Sequence, residues 1–241
     1  MYFLCGASDV GLHLNDTSLL AALVRLYRDV IEKKMYVTYG IGSVPRWEGF
    51  GDAYDLPNDT AFCETCADIG LLYLSHRLLR WDWNALVEYG LSPGVIADIM
   101  EGALYNSISG SVSIDGRSFF YSNPLQTSGR STTRKDWFDT SCCPPNVARL
   151  FCSLGEYPFM VKKRVREGKI MLTIAVVLYI DSRAEIKVGG ENVTIIVKTG
   201  WPWTGQIDVS FKNAQNVEVD LLLRVPGWAK VLFPRFDQSK Q

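Results

Sequence analysis

Six cysteines fall at positions 5, 63, 66, 142, 143 and 152, and their grouping is the first chemical signal in this chain. Cys63-Glu64-Thr65-Cys66 is a C-x-x-C, and Cys142 and Cys143 are adjacent, a poor arrangement for two structural disulfides. Thiolates completed by a carboxylate make a tetrahedral zinc site. From the residues alone two ligand sets are open: Cys63, Cys66, Cys142 and Cys143, or Glu64, Cys66, Cys142 and Cys143. The plainer alternative is that Cys63, Cys66 and Cys152 are buried helix residues, since free cysteine is among the most buried residue types. Cys5 and Cys152 have no partner pattern and read as core.

A carboxylate offers the complementary chemistry. Glu48 lies in Trp47-Glu48-Gly49-Phe50-Gly51-Asp52, among aromatics and glycines in a loop. Such surroundings favour the neutral carboxyl that a general acid requires. Asp52, Asp55 and Asp59 read as turn and cap residues. The only histidines, His13 and His76, sit in helical patterns. There is no G-x-S-x-G elbow, no Rossmann fingerprint and no P-loop, which excludes the common hydrolase and nucleotide motifs. Trp201, Trp203 and Trp228 read as sandwich core rather than a carbohydrate platform.

The elements that must position these residues change type along the chain. Leu19, Leu20, Leu23, Val24, Tyr27, Val30 and Ile31 form the stripe of an amphipathic helix over Asp16–Lys34, with Asn15-Asp16-Thr17 as its cap. Leu4 to Leu14 reads as the end of a helix. Further helices are expected from Cys63 or Thr65 to Leu79, from Ser92-Pro93 to Asn106, and after Pro144-Pro145 up to Gly155. Beyond Phe159 the pattern becomes β-rich, with runs at Ile170–Ile180, Glu185–Val188, Val193–Thr199, Gln206–Phe211 and Val217–Val225 and a Gly189-Gly190 hairpin turn. The fold class is mainly α, then all-β. Long loops, Tyr36 to Asn58 and Gly110 to Cys142, separate the helices and are candidates for function. Both ends read as cut, the chain closing in a polar tail from Asp237 to Gln241.

Composition limits the partners. The 241 residues are 47% hydrophobic and 12% aromatic, which excludes disorder. A net charge of −1 without a basic run argues against nucleic acid, and the apolar stretches are too short for a membrane span. Sequons at Asn15, Asn58 and Asn192 carry little weight without a signal peptide, so a cytoplasmic location is expected.

The loops themselves are recognisable. Met35-Tyr-Val-Thr-Tyr-Gly-Ile-Gly-Ser43, Glu48-Gly-Phe-Gly, Tyr54-Asp-Leu-Pro-Asn-Asp59, Cys63-Glu-Thr-Cys-Ala67, Phe119-Phe-Tyr-Ser-Asn-Pro-Leu125, Trp137-Phe, Cys142-Cys-Pro-Pro-Asn-Val-Ala-Arg149 and Leu223-Arg-Val-Pro-Gly-Trp228 resemble glycoside hydrolase family 127, the β-L-arabinofuranosidases. The resemblance covers most of the chain in the right order. It implies the C-terminal part of an (α/α)6 barrel over residues 1–158 and an incomplete β-sandwich domain over 159–241. It implies a retaining exo-glycosidase that releases β-L-arabinofuranose from oligosaccharides or glycoconjugates, with zinc as cofactor. The metal ligands would be Glu64, Cys66, Cys142 and Cys143, with Cys142 as nucleophile and Glu48 as general acid/base. Cys63 becomes a neighbour, and Tyr121 and Asn123 line the sugar pocket.

This chain also departs from the family pattern. An upstream histidine-containing motif is absent, and Tyr39 stands where the family has Gly. The expectation is therefore a truncated barrel that folds incompletely alone, or exposes apolar helix faces and associates as a homo-oligomer. The alternative function is a non-catalytic remnant that binds zinc or carbohydrate only.

Overall fold

A computed structural model of the chain describes residues 1–127, 129, 133–166, 169–188, 190–212 and 217–229. The chain forms two compact units, Met1–Cys152 and Ser153–Gln241. The first is helical: α1 (Tyr2–Leu14), α2 (Thr17–Lys33), α3 (Thr65–Leu79), α4 (Trp83–Glu88), α5 (Pro93–Gly102) and α6 (Cys143–Cys152). Among the described residues no helix is long and apolar enough to cross a membrane.

Helix α3 is the centre of this unit because it is apolar nearly all round, with Ile69, Leu71, Leu72, Leu74 and Leu78 fully buried. Helices α1, α5 and α6 pack against it. Small residues set the approach. A Cβ on Gly70 would lie 2.8 Å from the Met1 Cβ, so α1 reaches α3 only across a glycine. Helix α1 turns Cys5, Ser8 and Gly11 inward and leaves Phe3, Val10 and Leu14 exposed. Helix α2 buries Leu20, Leu23, Val24, Tyr27 and Val30, the expected stripe, and Tyr27 reaches Ser75 of α3 at 2.7 Å. Its cap is Asp16, whose carboxylate accepts from the Ser18 and Leu19 amides.

Two helices differ from the sequence reading. The third does not run on to Asn106. It stops at Gly102, and a π-helical segment, Ala103–Ile108, continues the rod with a wider turn. The last begins at Cys143, ahead of Pro144-Pro145, because the first turn has no partner for the missing prolyl N–H groups. Helix α4, unexpected from periodicity, is six residues long and capped by Asp82.

Gly102 also explains Tyr39. This residue adopts φ +66°, a left-handed conformation more easily held by glycine. Its ring lies against the bare Gly102 backbone, where an added Cβ would come within 2.3 Å of a ring carbon. Gly102→Ala is expected to destabilise the chain by about 1–3 kcal/mol. In a Tyr39→Gly background the same change should cost much less. Urea midpoints of the four proteins check this, and equal losses in both backgrounds would break the link.

Among the described residues the second unit holds six strands: β1 (Phe159–Arg166), β2 (Lys169–Val176), β3 (Ser182–Val188), β4 (Glu191–Thr199), β5 (Ile207–Lys212) and β6 (Val217–Leu223). One sheet has the order β1-β2-β6 and the other β3-β4-β5. All neighbours are antiparallel except β2 and β6, which pair in parallel from Ile170↔Val217 to Val176↔Leu223. Alternate residues of both sheets, Leu172, Ile174 and Val176 with Val193, Ile195 and Val197, share one apolar core. The expected hairpin closes at Val188↔Glu191 with Gly190 at φ +87°; Gly189 and the Asp237–Gln241 tail lie outside the described residues.

The tryptophans correct the sequence reading. Trp201 is partly buried against the core, but Trp203 is 91% exposed and Trp228 63% exposed. Trp203 sits in the turn after β4, beyond the alternation that points a strand residue inward. Trp228 stacks on Trp201 at 5.1 Å instead of entering the core.

Candidate metal centre

The site is built where two helices of the first unit begin. Glu64 is the N-cap of α3, and Cys66 is the second residue of that helix. Cys143 opens α6, and the Cys142 carbonyl accepts the Asn146 amide at 3.2 Å, which places Cys142 at the α6 cap. Both helices thus present their positive ends to the cysteines, a setting that favours thiolate.

The intervening loop fixes the first of these helix starts. Thr65 donates its amide to the Tyr121 carbonyl at 3.0 Å and its hydroxyl to the Phe120 carbonyl at 2.8 Å. Asn123 donates its side-chain amide to the Cys63 carbonyl and to Thr65 Oγ1. Its donor is therefore spent on holding the loop. Asp68, fully buried one turn into α3, accepts the Ile41 amide at 2.9 Å and ties the glycine-rich loop to the same helix.

Glu64, Cys66, Cys142 and Cys143 come together with their donor atoms all within 4.8 Å of one another. Cys66 Sγ is 3.4 Å from Cys143 Sγ, which is 3.7 Å from Cys142 Sγ. Glu64 Oε1 is 3.3 Å from Cys142 Sγ and 3.8 Å from Cys143 Sγ. Zinc–sulfur bonds of ~2.3 Å at tetrahedral angles put sulfurs ~3.8 Å apart, and a carboxylate oxygen ~3.6 Å from each sulfur. The four residues therefore fit a tetrahedral zinc ion with only small adjustments.

The electrostatics call for a cation. Glu64, Cys66 and Cys143 are buried, and among the described residues no basic side chain forms an ion pair with Glu64. Burial pushes the Glu64 carboxyl up and the Cys142 thiol up to about 11. Cys143 is pushed up by its hydrogen bond to Cys66 and by burial, whereas that same bond pulls Cys66 down. Glu64, Cys142 and Cys143 are thus pushed towards their neutral forms while Cys66 is pulled towards thiolate; a dication at their centre would favour the anionic form of all four.

Cys142 is the half-buried member of the set and faces the loop residues. Its thiol lies 3.2 Å from the Tyr121 hydroxyl, which donates to Glu48 Oε1 at 3.1 Å. Glu48 projects from a tight turn closed by the Val44↔Gly49 bridge and sits at φ +51°. It is exposed, so the apolar enclosure expected from its aromatic neighbours is not formed: Trp47 points outward, 65% exposed. Tyr121 packs between Phe62 and Phe138, with ring centroids at 6.1 and 5.5 Å.

The other cysteines separate from the cluster. Cys63 is buried in a loop at φ +39° with Tyr36 and Ala61, not in a helix. Cys5 is core, as expected. Cys152 is exposed, which corrects its placement in the core: it lies roughly 200° round α6 from the buried Leu150. Sequence reasoning missed Asn146, which donates to Cys66 Sγ at 3.1 Å. Its position one turn after the cysteine pair was the available signal.

Residues 3–156 match the family model for the β-L-arabinofuranosidase GH127 catalytic domain, and residues 173–235 match the GH127 middle domain. A curated relative, the non-reducing end β-L-arabinofuranosidase of Bifidobacterium longum subsp. longum, is 31% identical over 95% of this chain and 34% of its own length. A solved GH127 β-arabinofuranosidase superposes with TM-score 0.80 at 37% identity, covering 94% of this chain and 33% of that one. Ara127N-Se, a GH127 β-L-arabinofuranosidase from Geobacillus stearothermophilus T6, gives 0.77 at 33%, covering 95% and 35%. The chain spans about a third of the length of these proteins. With its helical part matched to the catalytic domain and most of its strands to the middle domain, the chain belongs to the GH127 β-L-arabinofuranosidase family.

Proposed function

We propose that this chain carries the reacting centre of a retaining exo-glycosidase that releases β-L-arabinofuranose from oligosaccharides or glycoconjugates. Its helices would form the later part of an (α/α)6 barrel. Glu64, Cys66, Cys142 and Cys143 would hold zinc, which when bound keeps the sulfurs deprotonated near neutral pH.

The observation that carries the reading is the span from Cys142 to Glu48. Both are hydrogen-bonded to the Tyr121 hydroxyl, at 3.2 and 3.1 Å, so the thiol and the carboxylate are no more than about 6.3 Å apart. Retaining glycosidases hold their two reacting groups ~5–5.5 Å apart, and inverting ones ~6.5–9.5 Å, to leave room for a water. The narrow span supports direct attack by Cys142 Sγ on the anomeric carbon while Glu48 gives its proton to the departing oxygen. Glu48 then takes a proton from water, whose oxygen displaces Sγ from the sugar. Two displacements at one carbon preserve its configuration. Tyr121 orients both groups and helps to line the sugar pocket.

Zinc content tests the metal part. Protein purified under reducing conditions is expected to hold about one zinc per chain. Cys66→Ser and Cys143→Ser should each lose most of it. Elemental analysis that finds no zinc in the unsubstituted protein would end the metal reading, and zinc without hydrolysis would favour the non-catalytic remnant.

A further inference from the structure

Three sulfurs surround the proposed cation position, yet the reaction proposed above uses only one of them as nucleophile. Something must distinguish them. Asn146 touches one of the three sulfurs directly and only the backbone of a second cysteine. Its backbone amide bonds the Cys142 carbonyl at 3.2 Å, and its side-chain Nδ2 donates to Cys66 Sγ at 3.1 Å. Cys66 belongs to α3 and Asn146 to the first turn of α6, so this contact links the two helix starts that carry all four ligands. Asn146 cannot ionise, and its N–H bond to Cys66 persists when the thiols lose their protons.

We infer that Asn146 is a positioning residue of the metal centre: its side-chain N–H fixes Cys66 as a permanent, weakly basic ligand and leaves Cys142 as the sulfur free to react. An N–H donor on a thiolate draws charge off the sulfur and lowers its nucleophilicity. Among the described residues no comparable nitrogen donor reaches Cys142 Sγ; its neighbours are the Tyr121 hydroxyl, Glu64 and Cys143. The inference rests on the zinc reading above.

The test uses Asn146→Ala and Asn146→Asp, the second keeping the side-chain shape while replacing the donor with an acceptor. Zinc affinity is measured by competition with a chromophoric chelator. The sulfur-to-metal charge-transfer band is measured after loading with Co²⁺. Both variants should bind zinc ~10–100-fold more weakly. Their cobalt band should move to longer wavelength, because a sulfur without its donor gives up an electron more easily. Loss of affinity with an unmoved band would mean a packing role and would overturn the inference, as would wild-type affinity in both variants. If Asn146→Ala unfolds by circular dichroism, the Asn146→Asp pair of readings decides. Absence of zinc from the unsubstituted protein is a different result, which removes the metal centre together with the inference.

Discussion

Replacing Cys142 with alanine is expected to lower hydrolysis of β-L-arabinofuranosides by roughly 10³- to 10⁶-fold, the range seen when a covalent nucleophile is removed. Three features single out this sulfur. It is half-buried where Cys66 and Cys143 are buried, so it is the member of the set open towards the loop that holds Glu48. It sits at the cap of α6, where the helix dipole favours its thiolate. It also shares the Tyr121 hydroxyl with Glu48. The metal should respond differently from the chemistry. Glu64, Cys66 and Cys143 remain in Cys142→Ala and supply the three protein ligands that suffice for a catalytic zinc. Zinc should therefore be weakened in this variant and nearly lost in Cys66→Ser. A Cys142→Ala protein hydrolysing within about tenfold of the unsubstituted rate would remove Cys142 from the nucleophile's role.

The contrast between these two cysteines was only partly legible in the sequence. Residue type and pairing marked Cys66, Cys142 and Cys143 as ligands, but spacing alone left Cys63 and Glu64 as equal candidates for the fourth place. Backbone conformation separates the two in space. Cys63 turns at φ +39° into a small apolar cluster, and Glu64, as the helix cap, faces the sulfurs. Local turns of this kind leave no periodic trace. Helix α2 was readable because its stripe repeats over 17 residues. The α5 stop at Gly102 was not, since the chain stays helical through Ile108 and only the hydrogen-bond register changes. Parallel pairing of β6 with β2 joins segments about 45 residues apart, and no local pattern encodes it. Trp203 and Trp228 misled for a related reason: an apolar residue type records average burial, and a turn can leave it exposed.

Glu48 is the residue for which the sequence suggests an acid/base role and whose setting it misjudged. Glu48→Gln is expected to slow release of arabinose from a natural glycosidic linkage by about 10²- to 10⁴-fold. An aryl arabinoside, whose leaving group departs without a proton, should lose much less in the first displacement. The expected pocket of aromatics is absent; Glu48 is exposed and held instead by one hydrogen bond from Tyr121. Tyr121 is in turn fixed through its backbone, since its carbonyl accepts the Thr65 amide at the start of α3. Glu48 is therefore positioned from the same helix that carries Glu64 and Cys66, although it belongs to a separate loop. Because Gln accepts from the Tyr121 hydroxyl as Glu does, the substitution removes the ionisable proton and leaves the geometry in place. Zinc content should then be unchanged, and the second step should become limiting with the aryl substrate, since no carboxylate remains to deprotonate the water. Intact mass spectrometry during turnover should show a sugar adduct accumulating on Cys142 in Glu48→Gln. Equal slowing of both substrates with no adduct would assign Glu48 to sugar binding and leave the proton transfer to another group.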